Sequence, residues 1–374
     1  MNGNINSIKV MVVDDSAVIR GLLTKMLSAE SGIEVVETAN NGLRALNRLA
    51  QLELDVIVLD IEMPVMDGLT ALPKLLALKP DVQIVVASTL TRKNAEISLR
   101  CLQAGAADYI AKPGKGQGLI SAEDFKRDLV GKVKALGSAA RNVTATSSQA
   151  RAPSFPEGPG VWRKPALEKK SPLGRKVNPG PARNKTITIR PMPPMHPGAI
   201  AIGSSTGGPK ALHSLFESLR GLSISQPIFI TQHMPPTFTT LLAQHLERSS
   251  GRPCREGCDG LKPVGGEVIV APGDYHMTVE GTAASPVIKL NQSPPKNFCR
   301  PSVDPMLNSL VRLYNGKVLF VMLTGMGADG LNATRNLIDC GGLAVAQDEE
   351  TSVVWGMPGA VATAGLCSAV LPLS

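Results

Sequence analysis

Long hydrophobic runs are missing from this chain of 374 residues, and aromatic residues make up only 3% of it. The first absence removes a membrane-spanning helix, which needs roughly 18 consecutive apolar residues. A stretch such as Val318–Met322 is only strand length. The second absence removes the aromatic platforms on which single-stranded nucleic acid stacks. Cysteine is sparse as well: of the six, only Cys254 and Cys258 lie close together, with no second pair to complete a metal set. Neither a disulfide framework nor a zinc module is therefore expected. The first residues also lack the basic segment and apolar core of a secretory signal, so the expected location is the cytoplasm.

Proline and glycine are plentiful, at 29 and 36, and the net charge is +8. Where that charge sits decides its meaning. Residues 1–137 balance 16 basic against 16 acidic side chains, and residues 197–374 carry 12 against 13. Residues 138–196 carry 11 against 2, together with ten prolines. Such a segment has too few apolar groups to bury a core, and its prolines and like charges favour extension. It reads as a semi-stiff linker between two domains, 1–137 and 197–374. A basic arm for nucleic acid is the rival reading, weakened by Phe155 and Trp162 being its only aromatics.

On either side of the linker, short apolar runs alternate with helix-like periodicity. Strands are expected at 8–13, 35–38, 56–59, 84–87 and 109–110, with helices at 17–29, 42–51, 68–78, 94–104 and 122–136. Five such units specify a doubly wound parallel α/β sheet, whose ligands belong at the carboxyl ends of its strands. After the linker, strands are expected at 199–203, 227–231, 318–323 and 343–346, with helices at 210–219, 237–248, 304–313, 329–340 and 359–364. Between 252 and 290 short strands among glycine and proline turns suggest an antiparallel extension on a second, mainly parallel α/β sheet.

In the first domain Asp14 and Asp15 follow the strand VMVV, and Asp60 follows VIVL, so three carboxylates share one sheet edge. Hard oxygens in that number suit Mg²⁺. Helix capping accounts for Asp14 or Asp15 but not for Asp60. Ser88 and Lys112 end later strands, and a carboxylate, a metal, a hydroxyl and an ammonium are the parts that receive and hold a phosphoryl group.

In the second domain the strand AIAIG runs into Ser204-Ser205-Thr206-Gly207-Gly208-Pro209, a strand-turn-helix that matches G-x-S-x-G with Ser205 at its apex. Read as a phosphate loop, the same stretch has Pro209 where lysine belongs. His233 follows the strand PIFITQ, and Asp329 follows VLFVML within TGMGADG. All three lie just past strand ends, where one sheet edge gathers them as a Ser-His-Asp triad. Asp329 read alone is also a plausible N-cap of the helix after it. The amides of Thr206 and Met326 are candidate oxyanion donors.

The motifs DD at 14–15, D-x-E-M-P-x-M-D-G at 60–68, S-T at 88–89 and K-P at 112–113 resemble those of response-regulator receiver domains. The resemblance implies phosphorylation at Asp60, Mg²⁺ at Asp14, Asp15 and Asp60, and switching through Ser88, Tyr109 and Lys112. It also suggests a cis peptide before Pro113. The motifs G-S-S-T-G-G at 203–208, T-Q-H-M-P at 231–235, R-P-S-V-D at 300–304 and L-T-G-M-G-A-D-G at 323–330 resemble the chemotaxis protein-glutamate methylesterase family. That implies hydrolysis of glutamate methyl esters, and deamidation of glutamines, on chemoreceptor helices. A chemotaxis histidine kinase is implied as phosphodonor. The expectation is a monomer with no cofactor in the catalytic domain, no nucleic-acid partner and no membrane insertion. A DNA-binding response regulator and a receiver-controlled esterase for small molecules are the alternatives.

Overall fold

The computed structural model describes residues 7–89, 91–112, 122–149 and 187–373. Its N-terminal unit alternates β1 (Ile8–Val13), α1 (Ala17–Ser28), β2 (Ile33–Ala39), α2 (Gly42–Leu49), β3 (Val56–Asp60), α3 (Gly68–Leu78), β4 (Gln83–Ser88), α4 (Arg92–Gln103), β5 (Asp108–Ala111) and α5 (Ala122–Gln149). The strands form one parallel sheet in the order β2-β1-β3-β4-β5. Burial on both faces explains why β3, Val-Ile-Val-Leu-Asp, is apolar without alternation. Helix starts follow short polar caps: Ser16, Asn41, Asp67 and Thr91 each accept from the amide three residues on.

Two features differ from expectation. Helix α5 does not stop near Leu136 but runs to Gln149. No proline interrupts the chain until Pro153, and Arg141 ties the extension to the Asp55 carboxylate at 2.7 Å. The front of the segment assigned to linker is therefore helical. The Lys112–Pro113 peptide lies outside the described residues, as does most of the proline-rich stretch. Among the described residues the cis bond is Arg300–Pro301.

The C-terminal unit follows as β6 (Ala199–Ser204), α6 (Gly208–Ser218), β7 (Ile228–Gln232), α7 (Phe238–Ser250), β8 (Cys254–Glu256), β9 (Val268–Val270), β10 (His276–Thr282), β11 (Ser285–Asn291), α8 (Val303–Leu313), β12 (Val318–Met322), α9 (Leu331–Asp339), β13 (Leu343–Gln347), α10 (Met357–Thr363) and β14 (Ala369–Leu371). Seven strands make a parallel sheet in the order β14-β13-β12-β6-β7-β9-β8. The antiparallel part is smaller than expected. Strand β9 pairs in parallel with β7 and β8, and only the β10–β11 hairpin is antiparallel. Val268-Ile269-Val270 is fully buried, which is the mark of an interior parallel strand rather than of a half-exposed hairpin.

The order β12-β6-β7 places the carboxyl ends of three central strands side by side, which is what positions the second site. In the first sheet β1 and β3 are neighbours, and α3 packs closely on the end of β3. A methyl group on Gly68 would stand 2.2 Å from the Asp60 carbonyl oxygen. Backbone cannot yield as a side chain can, so Gly68→Ala is expected to destabilise the fold by about 1–3 kcal/mol. A urea unfolding midpoint equal to that of the wild type would contradict this packing.

Apolar packing is continuous between the two units. One buried cluster includes Met11, Leu99 and Tyr109 together with Leu212, Phe238 and Leu242. Val353 and Val354 pack against the apolar face that holds Val12, Phe125 and Leu129.

Candidate functional site

In the N-terminal unit, Asp14 and Asp60 leave adjacent strand ends and are buried, whereas Asp15 is exposed. One ligand oxygen from each of the three lies within 4.8 Å of the others. Lys112 Nζ stands 2.6 Å from both Asp14 Oδ2 and Asp60 Oδ1, and the Ile61 amide donates to Asp60 Oδ1 at 2.7 Å. Burial, with help from the Asp14 charge, holds the Asp60 carboxyl above its usual range despite Lys112. Three hard oxygens with one ammonium leave a local excess of negative charge, and that donor set fits a divalent cation of the Mg²⁺ kind. Ser88 Oγ lies 2.9 Å from Ser98 Oγ, joining β4 to α4.

Tyr109 is buried against the other unit. Its ring stacks on Phe238 at a centroid separation of 4.5 Å, and Lys132 Nζ lies 4.9 Å from the ring centroid. Lys132 also pairs with Asp108 and Asp128. The buried Asp108 carboxyl, raised by burial against the Lys132 charge, faces the Thr206 hydroxyl beside Ser205.

The second cluster lies on the carboxyl edge of β6, β7 and β12. Ser205 occupies the turn between β6 and α6, and Gly207, with φ of 76°, closes that turn in a conformation a side chain would strain. Gln232, at the end of β7, binds the turn from the next strand. Its Oε1 accepts from Ser204 Oγ at 2.7 Å, and its Nε2 donates to the Ser205 carbonyl at 3.0 Å. The Ser205 amide donates to the Thr324 carbonyl, so the turns after β6 and β12 are locked together.

Asp329 is 2% exposed and accepts four hydrogen bonds. His233 Nε2 donates at 2.8 Å and the Val303 amide at 2.6 Å to Oδ2. Ser302 Oγ donates at 2.7 Å and Asn297 Nδ2 at 2.8 Å to Oδ1. Burial alone would raise this carboxyl, but the bonds from His233, Ser302 and Val303 outweigh it and hold it at about 2. The alternative in which Asp329 caps the following helix is not found: Gly330 is the N-cap of α9, and Asp329 instead caps the start of α8 through Val303. His233 Nδ1 faces Cys299 Sγ at 3.4 Å, and among the described residues no hydrogen bond joins it to Ser205 Oγ.

The structure thus gathers Ser205, His233 and Asp329 at one sheet edge, with Thr206 and Met326 in the flanking turns. Sequence reasoning missed Gln232, Asn297, Cys299 and Ser302. Gln232 and Ser302 lie inside the motifs T-Q-H-M-P and R-P-S-V-D, beside residues of more evident chemistry. Asn297 and Cys299 lie in a stretch with no recognisable pattern.

Two family models match the chain: the response regulator receiver domain over residues 10–123 and the CheB methylesterase domain over residues 200–374. A protein-glutamate methylesterase/protein-glutamine glutaminase of Rhodospirillum centenum is 53% identical over 373 residues, covering 100% of this chain and 93% of that protein. Its counterpart in Azospirillum brasilense is 53% identical over 367 residues, covering 98% and 90%. Among solved structures, the Thermotoga maritima CheB methylesterase catalytic domain has 37% identity and a TM-score of 0.46, covering 48% of this chain and 94% of that one. Fold and matches together define a response regulator whose output domain is an enzyme. The chain belongs to the protein-glutamate methylesterase/protein-glutamine glutaminase family, and those are its two activities.

Proposed function

We propose that this enzyme hydrolyses γ-glutamyl methyl esters and deamidates glutamines on the cytoplasmic helices of chemoreceptors, with Ser205, His233 and Asp329 as its catalytic triad. The observation that carries the reading is the fourfold-bonded Asp329, which fixes the His233 ring at the sheet edge that also presents Ser205. In this reading Ser205 Oγ attacks the ester carbonyl while His233 takes its proton. Collapse of the tetrahedral intermediate breaks the C–O bond, and the same proton leaves with methanol. Water, deprotonated by His233, then releases the glutamate carboxylate and restores Ser205. A glutamine follows the same path with ammonia as the leaving group, so one acyl-enzyme serves both reactions. The Thr206 and Met326 amides receive the oxyanion; among the described residues neither donates a hydrogen bond to the protein.

The domain division of this reading is 1–137 for the receiver, 138–196 for the connection, whose front continues helix α5 to Gln149, and 197–374 for the catalytic domain. Asp60 is the phosphoacceptor, with a chemotaxis histidine kinase as donor. Asp14, Asp15 and Asp60 would hold Mg²⁺, which when bound neutralises phosphoryl oxygens. Lys112 and Ser88 hold the phosphoryl group, and Tyr109 carries its arrival to Phe238. The contacts of Tyr109 and Asp108 with the catalytic domain describe a resting, covered site, and phosphorylation shifts the population towards an uncovered one. Among the described residues no helix is long and apolar enough to cross a membrane. The protein acts as a cytoplasmic monomer without nucleic acid.

Asp60→Asn tests the switch. With Mg²⁺ and a small-molecule phosphodonor, wild-type methanol release from methylated receptor membranes is expected to rise by about 5- to 150-fold, a typical span for coupling between two sites. Asp60→Asn is expected to stay at the unstimulated rate. Equal stimulation of both proteins would refute regulation through this residue.

A further inference from the structure

Between β11 and α8 the chain makes a tight turn over Lys296–Cys299. Lys296 and Cys299 exchange both backbone hydrogen bonds, at 3.1 and 2.8 Å. The two central residues, Asn297 and Phe298, have φ of 52° and 63°. That is a two-residue hairpin turn with both centres left-handed, a geometry asparagine tolerates better than most residues. Its three side chains diverge. Asn297 Nδ2 donates to Asp329 Oδ1 and, at 3.3 Å, to Asp304 Oδ2. Cys299 Sγ lies 3.4 Å from His233 Nδ1. Phe298 is 78% exposed, and the Arg127 guanidinium on receiver helix α5 covers its ring at 4.7 Å.

We propose that Cys299 is a positioning residue of this enzyme: in the resting protein its sulfur occupies the nitrogen of His233 that Ser205 must use, so the base is held off the nucleophile. This rests on the triad reading and adds to it a means by which the base is kept idle. The Asp329 carboxylate fixes a proton on Nε2, which leaves Nδ1 as the basic nitrogen. Among the described residues, Cys299 Sγ is the hydrogen-bonding partner of Nδ1. Sulfur is a weak partner, so the bond can be exchanged for one to a serine hydroxyl. The same turn joins Asn297 to Asp329, so its placement fixes both the acid and the base of the triad.

Charge acts in the same direction. Burial disfavours the imidazolium, but the neighbouring Cys299 sulfur and the Asp329 carboxylate outweigh it and push His233 up to about 10. A higher affinity of the ring for its second proton, like the sulfur contact itself, keeps Nδ1 from accepting the proton of Ser205. Beyond these two partners, the charged and titratable groups of the site are His276, Asp304 and Lys296, on the Asp329 side. Across the domain boundary, Asp108, paired with Lys132, faces Thr206. Removing the sulfur leaves these in place and withdraws the one ionisable group bonded to Nδ1.

The test uses the full chain, ¹⁵N-labelled at histidine, of which it has five. His233 is identified by the ring signal lost in His233→Asn, and its titration is followed in wild type, Cys299→Ala and Cys299→Ser. Serine keeps a hydroxyl but not the sulfur that helps raise His233, so both variants are expected to titrate below wild type, by about 1 pH unit or more. The acid limb of unstimulated methyl-ester hydrolysis is expected to move down with them. A His233 midpoint unchanged in both folded variants would overturn the proposal, as would a lower rate with an unmoved limb, which is the signature of packing alone. The ring titration needs no turnover, so a failure of the triad reading, seen as activity surviving in Ser205→Ala, is distinguishable from a failure of this one.

Discussion

Ser205→Ala is expected to lower methanol release by about 10⁴-fold or more while leaving the fold intact, because the members of a triad act as one unit. The second half of that expectation comes from the structure. Ser205 Oγ makes no hydrogen bond among the described residues, and the turn is held through other atoms: its amide on Thr324, its carbonyl under Gln232 and the Gly208 amide. Loss of one oxygen should therefore change stability by less than about 0.5 kcal/mol. Activity lost together with stability would point instead to a structural turn that only packs α6 on the sheet. Activity retained with stability would move the nucleophile elsewhere.

Asp329→Asn is expected to fail in both respects. The rate should fall by about 10⁴-fold, because an amide no longer selects the ring orientation and protonation that leave Nδ1 as the base. Stability should fall as well, by about 1–3 kcal/mol, because an NH₂ group must now meet a site built from four donors and leave at least one of them unsatisfied. The pH dependence separates the two effects. The Asp329 carboxyl is held at about 2, below its ordinary 3.8, so its contribution is fully present above about pH 4 and is lost as pH falls through about 2. Its partner His233 runs the other way. Raised from 6.5 to about 10, it contributes fully below about pH 6.5 and loses that contribution as pH rises through about 10. Urea unfolding of wild type between pH 2 and 6 should show the acid loss, and Asp329→Asn should lack it. Parallel curves for the two proteins would mean that the carboxylate is not held as described.

Much of this was legible in the chain. Apolar runs ending in acidic or polar residues located β1, β3, β6, β7 and β12, and a parallel sheet gathers strand ends, so Asp14, Asp60, Ser205, His233 and Asp329 could be placed without coordinates. What escaped is long-range or depends on two residues at once. Helix α5 runs on because nothing in 137–149 breaks it, and its anchor at Asp55 is more than 80 residues away in sequence. The parallel direction of β9 is not legible in Val-Ile-Val, which has no periodicity, and only its neighbours β7 and β8 supply it. The rival reading of Asp329 as a cap for the helix after it fails because its oxygens turn to α8, which precedes it. Asn297 and Cys299 carry no motif; they matter because a left-handed turn aims them at Asp329 and His233.

In the proposed scheme, a receiver phosphorylated at Asp60 uncovers a Ser205-His233-Asp329 hydrolase for receptor methyl esters. Methanol release from methyl-labelled receptor membranes, by wild type and Ser205→Ala with and without Mg²⁺ and a phosphodonor, tests it most directly. The expected result is release by wild type alone, rising when the phosphodonor is added. Release by Ser205→Ala at a rate near that of wild type, or none from either protein under both conditions, would contradict it.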